Sequence, residues 1–245
     1  MKNLNANLPI GVFDSGLGGL SVLQELETFL PNESFVYFGD NLNAPYGNKS
    51  IEELKSLSKR AVDVLKEFKV KVIVIACNTL STNLYDYIKD CASVPVIKTL
   101  PPKSEGGDCL LCTVKTAESD FVKKNFKGKV IPLEDLAQKI EENIFDLSKI
   151  DLNPVISRLP LTTNKVILGC THYHFIKQRL ESAVSVPVVD GFLSVKNSLF
   201  STLKKLKLFN FQNQGEITFV GESKELNYKV YSEILIKNVG SGQKS

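Results

Sequence analysis

Charge of one sign is scarce in this chain: 30 lysines and arginines stand against 27 aspartates and glutamates, for a net charge of +3. The densest basic stretch, Leu203-Lys204-Lys205-Leu206-Lys207, alternates with leucine as a solvated helix face does. No nucleic-acid partner is therefore expected. No apolar run approaches the roughly 20 residues that span a bilayer, so no membrane segment is expected either. The opening residues MKNLNANLPIGVF lack the apolar core of a secretory signal. The expected location is the cytoplasm, where thiols stay reduced. Cysteine comes as an odd five (Cys77, Cys91, Cys109, Cys112, Cys170), which suits no disulfide framework and leaves thiols free for chemistry.

Cofactor motifs are missing as well. Gly16, Gly18 and Gly19 do not fit the GxGxxG spacing of a dinucleotide site. After Asp14, residue 16 is glycine where a haloacid-dehalogenase phosphatase needs a second aspartate.

What is present is a globular composition, 43% hydrophobic and 23% charged, in short β-branched runs alternating with helical patterns. That alternation predicts an α/β protein with parallel sheets covered by helices. Ile10–Phe13 and Ser34–Phe38 read as strands, the first ending in the glycine-rich turn Asp14–Gly19 before a helix from about Leu20 to Leu30. Ser50 with Glu53 three residues later forms a capping box for the next helix. Val70–Ala76 is apolar throughout, as expected of a strand buried on both faces.

The chain also repeats itself. Residues 71–98 read strand, Cys77, helix, Ser-Val-Pro-Val, and residues 164–190 read strand, Cys170, helix, Ser-Val-Pro-Val. Two similar βαβ units, each offering a thiol at a strand's carboxyl end, predict two pseudo-symmetric domains with the site in the cleft between them. The Pro/Gly-rich stretch TLPPKSEGG marks the boundary. The expected division is 1–97 plus 204–245 for the domain of Cys77, and 98–203 for that of Cys170; the tail strand Ile217–Val220 and a helix from about Ser223 to Ile236 are expected to fold back on the first domain.

A lone buried cysteine is ordinarily a small packing residue. Two at equivalent points of a repeat, each before a helix N-terminus that lowers a thiol's pKa, point to chemistry instead. A zinc tetrad of Cys170, His172 and His174 with Cys109-Leu110-Leu111-Cys112 is the first rival. It is disfavoured, since residues three apart on a strand face opposite ways. Cys91, Cys109 and Cys112 read as packing residues, and His174 as a surface or packing residue. His172, two positions after Cys170, is placed to hydrogen-bond that thiol, and the glycines after Asp14-Ser15 suggest close backbone approach to a small ligand's carboxylate. An acid/base thiol on each face of a small substrate suits inversion of a stereocentre.

IGVFDSGLGGLSVL, YFGDNLNAPYG, IACNTLST and LGCTHYHF, in that order, resemble the cofactor-independent aspartate/glutamate racemase family, the nearest likeness within it being to the glutamate racemases. The resemblance covers nearly the whole chain. It implies no cofactor and no metal, interconversion of L- and D-glutamate, and supply of D-glutamate for peptidoglycan. It implies Cys77 and Cys170 as the acid/base pair, assisted by Asp14 and His172. Asp14, Ser15, Tyr46, Gly47, Asn78, Thr79, Thr116, Thr171 and His172 are implied to hold the substrate. The chain departs from the family pattern at Asn43 (usually arginine), at Leu80 and Thr82 (usually small), and at His174 (usually proline). Glu134 or Asp135 falls near the family's further acidic residue. An aspartate or broad-specificity racemase, and a silent paralogue acting as a binding protein, stay open as alternatives, as does a homodimer.

Overall fold

A computed structural model describes residues 5–211 and 214–236. Residues 1–4, 212–213 and 237–245, assigned above to the first domain, lie outside the described residues. The first half runs β1 (Ile10–Asp14), α1 (Gly19–Phe29), β2 (Phe35–Gly39), α2 (Ile51–Glu67), β3 (Val72–Ile75), α3 (Asn78–Asn83), α4 (Tyr85–Cys91) and β4 (Val96–Lys98). The second runs β5 (Cys109–Cys112), α5 (Val114–Glu118), α6 (Asp120–Asn125), β6 (Lys129–Pro132), α7 (Leu136–Glu142), α8 (Asn153–Ile156), β7 (Val166–Gly169), α9 (Lys177–Ala183) and β8 (Val188–Val189). The tail contributes α10 (Phe192–Leu206), β9 (Ile217–Val220) and α11 (Lys224–Val230).

The strands form two sheets, ordered β4-β3-β1-β2-β9 and β8-β7-β5-β6, and every pairing is parallel. Without β9, the two orders match strand for strand. In each sheet the first strand of its half lies centrally, beside the strand that leads to the cysteine. The internal repeat is thus a repeat of topology. Strands β3 (VIVI) and β7 (VILG) are buried along their whole length, which explains their lack of polar alternation. The tail strand β9 pairs with β2, Phe35 opposite Ile217, while α10 packs on α1 and β4.

Local chemistry sets the element ends. Ser50 Oγ accepts the Glu53 N–H at 3.2 Å and Glu53 Oε2 accepts the Ser50 N–H at 2.9 Å, so the capping box forms as the sequence predicts. One expected helix differs: Cys170 is followed by a six-residue 3-10 segment, Thr171–Ile176, and only then by α9. The tail helix also changes pitch, α11 continuing as a π-helical turn over Tyr231–Ile236. Cys109 and Cys112 enter different core clusters on the two faces of β5, so they do not converge as a ligand pair.

Candidate active site

Because every strand is parallel, the carboxyl ends of both sheets carry the loops that meet between the halves. Asp14 ends β1, Asp40 follows β2, Cys77 follows β3, Thr113 follows β5 and Cys170 follows β7. Ser15, Pro45, Tyr46, Gly47, Cys77, Asn78, Thr79, Thr113, Ala137, Cys170, Thr171 and His172 wall one enclosed cavity. Its volume is about 10 Å³, room for about one water, so an amino-acid-sized ligand enters only when the walls part. Both repeat cysteines face this space. Asp14 and Thr116 are fully buried just behind it.

The cysteines have different companions. Cys77 Sγ lies 3.7 Å from Ser15 Oγ, whose hydroxyl lies 3.5 Å from Asp14 Oδ1, a loose thiol–hydroxyl–carboxylate line. Asp14 Oδ2 also accepts the N–H groups of Gly19 at 2.7 Å and Gly16 at 3.3 Å. Burial nevertheless pushes the Asp14 carboxyl up to about 6, against the lowering effects of His172 and the Gly19 and Ser15 N–H groups. The helix-start argument for Cys77 is overturned. Burial, then the charge of Asp14, raise its pKa well above the ordinary thiol range, outweighing the Leu80 N–H and the Ser15 hydroxyl. A six-residue helix (α3) start cannot offset full desolvation.

Cys170 Sγ instead meets His172 Nδ1 at 3.7 Å, and His172 Nε2 lies 2.7 Å from Glu141 Oε1. The Gly18 N–H also approaches Nε2 at 3.3 Å, so the ring meets Glu141 and Gly18 through Nε2 and the thiol through Nδ1. Burial alone would lower the His172 pKa; hydrogen bonds to Cys170 and to the Glu141 carboxylate override it, and the imidazole ends well above its ordinary value. Glu141 is the residue the sequence reading missed. Glu134 and Asp135 are both exposed at the start of α7, and Asp135 is spent on Lys139 at 2.6 Å. Glu141, on the last turn of α7, reaches the site. Its i,i+4 spacing from Ala137, which walls the cavity, is the helical signal that could have found it.

The glycines of Asp14–Gly19 also let neighbouring side chains approach the backbone closely. A Cβ at Gly16 would lie 1.9 Å from Glu141 Oε1, and one at Gly18 would lie 2.6 Å from His172 Nδ1 and from Thr171 Oγ1. At Gly16 and Gly18 the bare backbone makes room for side chains of the opposite half, and at Gly19 for Asp14 and Tyr37. Glu141 Oε1 accepts the Leu17 N–H at 2.9 Å, Ser21 Oγ lies 3.4 Å from the Thr171 carbonyl, and Tyr37 Oη donates to the Gly16 carbonyl at 2.8 Å. On the other wall, Thr79 Oγ1 meets Thr113 Oγ1 at 3.0 Å, and Thr113 Oγ1 meets Thr116 Oγ1 at 3.0 Å. Thr116 thus reaches the cavity through Thr113. Asn78 Nδ2 donates to the Thr99 carbonyl at 3.2 Å. The departures from the family pattern mostly face elsewhere. Leu80 is buried in the core with Phe13 and Leu54, and His174 stacks on Phe192 with ring centroids 4.7 Å apart, 3.4 Å from Asp190. Asn43 holds Asp40.

No family model matches the chain. The glutamate racemase of Fusobacterium nucleatum subsp. nucleatum is 35% identical over 243 residues, covering 91% of this chain and 92% of that protein. The glutamate racemase of Clostridium novyi is 37% identical over 228 residues, 84% of this chain and 88% of the relative. Among solved structures, glutamate racemase from Francisella tularensis subsp. tularensis in complex with D-glutamate is similar at a TM-score of 0.76 and 28% identity, over 92% of this chain and 94% of that one. No described helix is long and apolar enough to cross a membrane.

Proposed function

The chain belongs to the glutamate racemase family, and we propose that it interconverts L- and D-glutamate by proton transfer between two thiols, without a cofactor. The observation that carries this reading is one cavity walled by both Cys77 and Cys170, each with its own proton partner behind it. In one direction a thiolate takes the α-proton, and the C–H electron pair passes to the α-carbon and its carboxylate. The opposite S–H then delivers its proton to the other face, so one thiol is consumed as the other forms. Raising Cys77 above the ordinary range keeps it protonated at rest, ready as the acid. Cys170 passes its proton to His172 Nδ1, and the imidazolium is stabilised by Glu141. N–H groups of Tyr46-Gly47 and Asn78 and the N–H groups and hydroxyls of Ser15, Thr79 and Thr171, with Thr116 acting through Thr113, hold the carboxylates and stabilise the carbanion-like intermediate.

On this reading residues 1–97 with 204–245 and residues 98–203 act as the two jaws, which part to admit substrate. The protein works in the cytoplasm and supplies D-glutamate for peptidoglycan. The test is incubation with L-glutamate in deuterated water, with aspartate and neutral amino acids alongside. The expected result is α-deuterated D-glutamate, lost in Cys77→Ser and Cys170→Ser variants that still fold. No α-exchange on glutamate, or substantial racemisation by either variant, overturns it.

A further inference from the structure

We propose that Asp40 is a positioning residue: its buried carboxylate holds the Tyr46 hydroxyl and thereby fixes the Pro45-Tyr46-Gly47 segment that walls the cavity. Asp40 is 4% exposed and Tyr46 1%. Tyr46 Oη donates to Asp40 Oδ2 at 2.6 Å, short as expected for an O–H on a carboxylate. Asn43 Nδ2 donates to Oδ1 at 2.9 Å and lies 3.1 Å from Oδ2, while the Asn43 N–H bonds the Asp40 carbonyl at 3.0 Å. The Asp40 N–H in turn bonds the carbonyl of Asp14 at 3.1 Å. One residue therefore joins the strand end that carries Asp14, the turn over Asn41–Asn43, and the wall at Tyr46.

Two further observations make this more than packing. The tyrosine ring fills the core with Phe13, Phe38 and Leu54, so its hydroxyl is the one polar handle that sets how the segment is turned. Gly47 faces the other half directly: a Cβ there would lie 3.0 Å from Thr113 Cβ. A shift of the segment by a few tenths of an ångström would close on Thr113 or open away from it. The wall position and the spacing between the jaws are thus set together. The charge of Asp40 is matched by neutral donors, because Arg60, which also feels it, spends its guanidinium on Glu222 at 2.9 Å. Asn43, at the position where arginine is usual in the family, orients Asp40 without cancelling the charge that grips Tyr46.

The kinetic part of the test rests on the proposed function; the structural part does not. Tyr46→Phe deletes one oxygen and leaves the ring. Loss of a hydrogen bond to a buried carboxylate corresponds to a factor of about 10 or more. We expect KM for glutamate to rise about ten-fold while kcat changes less than three-fold, with amide hydrogen exchange over residues 41–48 accelerated. Asp40→Asn, whose amide oxygen still accepts, falls between Tyr46→Phe and the unmutated protein, and combining the two is not additive. A KM within two-fold of the unmutated protein, a loss confined to kcat, or unchanged exchange over 41–48 overturns the proposal. If the unmutated protein leaves glutamate unchanged, the proposed function falls and the exchange measurement alone decides on Asp40.

Discussion

Replacing Glu141 by glutamine removes one negative charge and keeps the hydrogen-bond frame. Glu141 Oε1 receives both His172 Nε2 at 2.7 Å and the Leu17 N–H at 2.9 Å, and a glutamine carbonyl oxygen can accept both. What disappears is the charge beside a histidine that is 3% exposed. A hydrogen bond to a charged group contributes about 1.5–3 kcal/mol, so kcat/KM is expected to fall by a factor of about 10 to 150. The two enantiomers have equal free energy in solution, so the equilibrium constant is unity and kcat/KM must fall equally in both directions. The separate kcat and KM values are free to differ. The pH dependence gives a second, independent reading. His172 holds its proton because Cys170 and Glu141 override burial. The imidazolium is present below that raised pKa and lost as pH rises through it. Without the Glu141 charge the pKa drops, and the alkaline limb of kcat/KM moves to lower pH. Polarimetric rates from both enantiomers, measured from mildly acidic to alkaline pH, decide the matter. An unmoved alkaline limb, or kcat/KM within two-fold of the unmutated enzyme, would refute the role given to this charge.

Asp14→Asn tests the cost of a buried carboxylate. Because the folded pKa is raised from 3.8 to about 6, Asp14's contribution to stability is fully present below pH 3.8 and is lost as pH rises through about 6. At neutral pH the ionised group therefore costs up to about 3 kcal/mol. The variant should melt higher than the unmutated protein above about pH 6, lose that advantage below about pH 4, and lack racemase activity; a lower melting temperature at neutral pH contradicts the assignment. Gly18→Ala puts a methyl group 2.6 Å from His172 Nδ1, an overlap costing about 1–3 kcal/mol. Since the overlap exists only when the jaws meet, kcat/KM should drop about ten-fold or more while the melting temperature moves little, and the reverse pattern would count against closure. Iodoacetamide should modify half-exposed Cys91 before Cys77, because Cys77 is buried and its pKa raised. Early labelling of Cys77, read by peptide mass spectrometry, would contradict that.

The sequence showed the two thiols and their setting because both sit where strong local signals converge. An apolar β-branched run, a cysteine and a helical pattern recur at matching distance from Ser-Val-Pro-Val, and parallel topology carries both strand ends to the same side. Asp14 and His172 were legible for the same reason, being adjacent in sequence to the strand ends that place them. Glu141 was not. It lies 31 residues before its partner His172, on the far turn of a short helix, and only the packing of α7 against the 3-10 segment after Cys170 joins them. The sequence shows that the glycines leave room without showing what lies there: Glu141 beside Gly16 and His172 beside Gly18 come from the other half. The Cys77 pKa was misread in sign because helix-terminus stabilisation is a local property and desolvation is a global one. Asp40 escaped notice because its partners Asn43 and Tyr46 lie in a turn with no periodic pattern.

Matching strand order gives the two thiols equivalent addresses, but the residues that accompany them break the symmetry. The central strand of one sheet, β1, ends on Asp14; its counterpart β5 ends on Cys112 and leads to Thr113. The carboxylate on the Cys77 side thus comes from the neighbouring strand end and acts through Ser15. On the Cys170 side, the imidazole of His172 follows the cysteine in the chain and its carboxylate partner comes from α7. These arrangements are also unequal in rigidity. Asp14 is held by backbone N–H groups of its own loop, whereas Glu141 is held by Leu17 and His172 from opposite sides of the cleft. On the proposed two-jaw reading, opening leaves the first set intact, and in the second it parts Leu17 from Glu141 and Gly18 from His172 while Glu141 stays with His172 in the same half. Each thiol therefore has its side-chain partners within its own half before substrate arrives, and the Cys170 side differs in gaining the Leu17 and Gly18 N–H groups on closure. Closure then adds two backbone N–H groups and excludes water around a Cys170–His172–Glu141 arrangement already in place.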